Sequence, residues 1–137
     1  MAVKNTRKAL VSLTILFLVT GCYPGTLEEV VNHTGQTLTV ISMDTELKET
    51  AYLVENNQTV RINVPFKLRV KCGGETWDYD LPPTRLPQNF RKKVRGNWYL
   101  EKFQIEKDGT INCLFPESQG PAANLPSQPA GYPVRPK

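Results

Sequence analysis

The segment at residues 66–81 leaves this chain the least freedom. Gly73-Gly74 is a two-residue turn able to take the positive φ that tight hairpins demand. Folding the segment about that turn sets Cys72 opposite Glu75, Val70 opposite Trp77, Leu68 opposite Tyr79 and Phe66 opposite Leu81. One face is then almost wholly apolar. The other face sets Lys71 against Thr76, Arg69 against Asp78 and Lys67 against Asp80. Opposite charges meeting across strands add about 0.2–1 kcal/mol per pair. Pro65 and Pro82 lie where the ladder must stop, because proline has no N–H to donate. Turn, core face and charge agree on one register, so this part of the chain is committed to a β-hairpin.

The rest of 26–115 repeats the theme. Residues 100–115 read as a hairpin whose loop is Lys107-Asp108-Gly109, with Gly109 left-handed, Ile105 facing Ile111 and Phe103 facing Cys113. A third hairpin is expected from 28–32 with 36–43, turning at His33-Thr34-Gly35. Segments 51–54 and 58–64 flank Asn56-Asn57, with Val60, Ile62 and Val64 on one face. No apolar pattern of period 3.6 exceeds two turns. The expected fold is all-β: a small antiparallel β-sandwich or partly open barrel of roughly seven to eight short strands. Residues 85–97 read as a long irregular connection.

Four zones follow. Residues 1–21 carry Lys4, Arg7 and Lys8 and then an apolar run, ALVSLTILFLV, at 9–19. A spanning helix needs about 20 residues, so the run has the length of a signal-peptide core. After it comes Leu18-Val19-Thr20-Gly21-Cys22, which resembles the lipobox of bacterial lipoproteins, with Val19 where that family prefers Leu. The resemblance implies diacylglycerol on the Cys22 sulfur, cleavage after Gly21, acylation of the new amino terminus and anchoring in a membrane. Tyr23 stands where an Asp would favour the inner membrane in enterobacterial sorting. The implied location is therefore the outer membrane, facing the periplasm. Residues 22–25 are then a short lipidated tether and 26–115 the β domain.

The fourth zone, 116–137, holds six prolines among Gly, Ser, Gln and Asn. Such a composition builds neither ladder nor helix, and a disordered Pro-rich tail is expected. Stretched as polyproline it would reach on the order of 70 Å, at about 3.1 Å per residue. Tyr132 and Val134 are its candidate docking side chains, on a partner or on the domain itself.

Setting Cys22 aside leaves Cys72 and Cys113, both expected inward. The compartment permits a disulfide, which would close a loop of 42 residues and stabilise by roughly 4 kcal/mol.

The chemistry-bearing residues are few. The net charge is +4, but three of those cations are in the leader, and the remaining chain carries 14 basic and 13 acidic residues, a net of +1. That gives no argument for nucleic acid. A single His, on a predicted turn at His33, makes no triad. There is no C-x-x-C, no acidic calcium loop and no phosphate-cradling Gly loop, so no metal and no cofactor is expected. Two matches to the glycosylation sequon, at Asn32 and Asn57, are discounted for a bacterial chain.

The candidate binding surface is a basic cluster: Arg85, Arg91, Lys92, Lys93 and Arg95, with Trp98 beside it. No acid occurs between Leu81 and Leu100, so these cations lack a local partner, and an anionic membrane or an acidic envelope protein would supply one. The expectation is a membrane-anchored, non-enzymatic binding or structural module of the cell envelope. Its partner would be an envelope protein reached through the basic loop or the tail. The alternatives are a periplasmic inhibitor of a cell-wall hydrolase, or a component of a secretion, conjugation or phage-lysis complex.

Overall fold

A computed structural model describes residues 25–63, 67–83 and 85–137. The leader, the lipobox with Cys22, and Val64, Pro65 and Phe66, and with Phe66 its expected pairing with Leu81, lie outside the described residues.

The chain is all-β, in two facing sheets. The strands are β1 (Thr26–His33), β2 (Leu38–Met43), β3 (Glu49–Val54), β4 (Thr59–Asn63), β5 (Lys67–Cys72), β6 (Glu75–Tyr79), β7 (Lys92–Arg95), β8 (Trp98–Glu106) and β9 (Ile111–Leu114). One sheet runs β4-β1-β8, with β7 and β9 both paired to β8; the other runs β3-β2-β5-β6. Among the described residues one 3₁₀ turn, Gln88–Phe90, interrupts the strands.

Both well-specified hairpins have the expected register. Across β5 and β6, Leu68 pairs with Tyr79, Val70 with Trp77 and Cys72 with Glu75. On the outer face Arg69 Nε meets Asp78 Oδ1 at 2.7 Å. That contact first of all holds the Asp78 carboxyl below the usual carboxylate range. Across β8 and β9, Phe103 pairs with Cys113 and Ile105 with Ile111, and Gly109 is left-handed at φ 83. A Cβ on Gly109 would stand 2.9 Å from the Trp77 ring, so that turn is both bent and pressed against the second sheet. Tyr79 OH donates to Gly109 O at 2.7 Å and fastens the same corner.

The third hairpin is not formed. β1 and β2 lie in different sheets, and so do β3 and β4. The chain changes layer four times along these strands, and two of those corners, β1 to β2 and β3 to β4, lie side by side, joined by Asn32. Its fully buried amide donates to Gln36 O at 2.6 Å and to Val54 O at 2.8 Å, and accepts from Thr34 N and Thr34 Oγ1. Its backbone bonds Gln58 O and Asn57 N. One side chain thus satisfies carbonyls that neither sheet can reach. Asn32→Ala is expected to cost about 3 kcal/mol, because several buried polar groups lose their partner together; urea denaturation measures it.

The antiparallel expectation also fails at one place: β1 and β8 are parallel, in register from Thr26↔Tyr99 to His33↔Glu106. Parallel strands are found covered on both faces, and β8 is buried from Leu100 to Ile105. Its inner face meets the second sheet. Its outer face is covered by residues 116–124, so the tail is not a disordered spacer. Lys102 Nζ donates to Ser118 O at 2.5 Å, and Gln104 exchanges two hydrogen bonds with Ala122. Further on, the Gln128 amide bonds both N and O of Cys113, like one residue of an added strand. Val134 pairs with Ile111 through both backbone groups, and the Tyr132 ring stacks on Phe103 at 5.7 Å. Proline removes the donors for a continuous ladder, so the tail is pinned at separate points instead.

The expected Cys72–Cys113 disulfide is not present: both are buried free thiols. They stand in different sheets, on β5 and β9, so the local hairpin register that turned both inward did not fix their positions relative to each other across the core.

Candidate functional site: a basic edge and buried carboxylates

Residues 85–97 are more ordered than expected. Leu86 and Phe90 enter the core, and β7 follows as a short edge strand antiparallel to β8. All four residues of β7 are exposed. The register slips between Lys93 and Arg95, leaving Val94 in a bulge and 42% exposed. Cations and a bulge are what keep a free edge from pairing with another chain. Trp98, opposite Arg95, is 46% exposed. Gly25 crosses the Trp98 ring so closely that a Cβ there would lie 2.2 Å from it, and Tyr99 N donates to Gly25 O at 3.0 Å. The described chain therefore begins beside the end of β7.

The basic cluster does not hold together as one surface. Lys92, Lys93 and Arg95 project from β7, but Arg91 turns inward. Its side chain is only 7% exposed, its guanidinium is 4.0 Å above the centroid of the Tyr99 ring, and its Nε is 3.3 Å from Glu101 Oε1. Arg85 also acts electrostatically on Glu101. The missing acid is thus one residue past the acid-free window, on β8.

Glu101 in turn is level with Glu28 on β1, and both carboxyls are buried. Burial, and then the charge of Glu101, pushes Glu28 up to about 8. Burial raises Glu101 as well, opposed by Arg91 and Arg85. The Cys113 thiol and the Tyr132 phenol, held up first by burial, also sense both carboxyls. Beside Glu28 a cavity of about 10 Å³, lined by Val30, Leu68, Leu81 and Phe103, has room for about one water and no organic ligand.

On the outer face of the same sheet, a cleft of about 600 Å³ lies between Glu29, Arg61, Lys92, Lys102 and residues 116–120 of the tail. That volume is in the range of small-molecule sites. Glu29 is its central acid: Arg61 Nη2 is 2.9 Å away and Lys102 Nζ 3.7 Å. At the far end of β1, His33 Nδ1 meets Glu106 Oε2 at 2.8 Å, and Gln104 Nε2 donates to Glu106 Oε1 at 2.6 Å. Among the described residues the side-chain hydrogen-bond partners of His33 and Glu106 are each other and Gln104. No group of three or more metal-ligating side chains is assembled among the described residues.

Sequence reasoning named Lys92, Lys93, Arg95 and Trp98 and missed Glu28 with Glu101. Period-2 patterning places Glu28 on the face of Val30, which was the available signal. The parallel pairing that brings Glu101 alongside, 73 residues on, leaves no local trace. Comparison with protein-family models, with curated proteins and with solved structures gives no match.

Proposed function

We propose that the chain is a lipid-anchored protein of the bacterial envelope, held through acylated Cys22 at the periplasmic face of the outer membrane. Its β domain acts there as a non-enzymatic binding or structural module. One observation carries the reading furthest. The described chain begins at Gly25, pinned under Trp98 and only three residues after the lipobox cysteine, so a lipid there holds the domain directly on the bilayer. The charged cleft around Glu29 is the surface large enough to take a polar partner. Docking of a larger complex through the tail loses support, because Tyr132 and Val134 are already engaged on the domain itself.

Intact mass of the protein recovered from membranes tests the anchor. The expected species begins at Cys22 and carries acyl chains, and Cys22→Ser is expected to move the protein out of the membrane fraction. An unmodified Cys22, or a Cys22→Ser chain still in membranes, would refute the reading. Charge reversal at Lys102 or Arg61 is expected to reduce crosslinking to envelope partners more than any change at Tyr132.

A further inference from the structure

We infer that the edge formed by β7 and Trp98 is a membrane-contact surface, lying flat on the anionic bilayer that holds the chain's own anchor. The inference rests on the lipid-anchor reading and adds an orientation to it. Only Tyr23 and Pro24 separate Cys22 from Gly25, so the anchor can be at most about 11 Å from the point where Gly25 lies against Trp98. Within that reach lies an edge of one composition. Lys92, Lys93 and Arg95 are exposed, no acidic residue occurs between Leu81 and Leu100, and Val94 and Trp98 stand out between the cations. Protection of a free sheet edge from pairing with another chain accounts for the cations and the bulge. It does not account for a half-exposed indole and an exposed valine beside them. A bilayer interface accounts for all of them: indole rings and short apolar side chains settle at the headgroup level, and Lys and Arg meet anionic headgroups. Arg91 and Arg85 contribute little to this surface, since their charge is directed to Glu101. Three surface cations at an anionic membrane are expected to favour the docked orientation on the order of 100-fold.

The test uses the lipidated protein, its acyl mass verified, in nanodiscs of phosphatidylcholine alone or with phosphatidylglycerol. Quenching of tryptophan fluorescence by brominated acyl chains reads depth. Trp77 is buried in the core, and a Trp98→Phe chain supplies its background. Trp98 is expected to be quenched several-fold more in the anionic discs. High salt and the double variant Lys93→Glu, Arg95→Glu, both exposed positions, are expected to abolish the difference. Equal quenching in both discs, or a charge-reversed chain that quenches like the parent, would overturn the inference while leaving the anchor intact. A chain with no acyl mass at Cys22 removes both.

Discussion

Truncation after Glu117 is expected to destabilise the domain by about 3–5 kcal/mol. The loss concentrates at β9, whose outer edge has no strand neighbour. Val134 is nearly buried there and bonds Ile111 twice, and Gln128 satisfies both backbone groups of Cys113. Burying a valine contributes about 1.5–3 kcal/mol, and each of the four hydrogen bonds about 1 kcal/mol. Truncation also uncovers Val31, Leu114 and Gln104 on the outer face, all fully buried now. Ordering the tail costs backbone entropy, which offsets much of the gross gain. What remains is still a large fraction of the 5–15 kcal/mol typical of a domain. Urea denaturation of the mature chain and its truncated form measures the difference, and an unchanged midpoint would return the tail to the status of a spacer. Gln128→Ala isolates the edge contribution, with about 2 kcal/mol expected.

Raising the pH from about 4.5 to 8 is expected to weaken the fold, and Glu28 is the cause. The unfolded chain releases the Glu28 proton near 4.5, while the folded chain keeps it up to about 8. Between those values the native state binds more protons. The stabilisation is fully present below the unfolded value and is lost as pH rises through the folded one. For one group the total is on the order of 4 kcal/mol. Glu101, shifted in the same direction, adds to the slope. Glu28→Gln keeps the shape and removes the titration, so the variant is expected to gain stability over the parent at pH 8 and to match it near pH 4. Denaturation at both pH values decides it; parallel pH profiles for the two chains would show that the carboxyl is not held neutral.

The hairpins at 66–81 and 100–115 were legible because each is closed by its own turn residues and its paired residues are at most 12 apart in the chain wherever both are described. The layer changes were not. His33-Thr34-Gly35 has the composition of a hairpin turn, and the partner that decides otherwise, Val54 O, is 22 residues from Asn32. The β2–β3 turn passed unnoticed for want of glycine. Asp44 builds it by accepting from Glu46 N and Lys48 N, with Leu47 left-handed. Composition identified the tail as unable to form a ladder, which is true of it, but did not reveal that isolated contacts would seat it. Within the basic cluster the exposed members were named correctly by type. Arg91 went astray because burial with Tyr99 and Glu101 depends on how β7 and β8 align, which charge counting does not encode.

The covering of β8 and β9 has a consequence for the order of synthesis. A chain made amino end first has delivered every described strand once Leu114 has been made. Its sheet edge at Ile111 nevertheless stays open until Val134, well after the last strand, arrives to close it. The segment around Val134 therefore acts as a late seal on that edge. A stalled or clipped chain presents an unpaired strand and a bare apolar face, the features by which aggregation begins and proteases find their substrates, while an intact chain hides both.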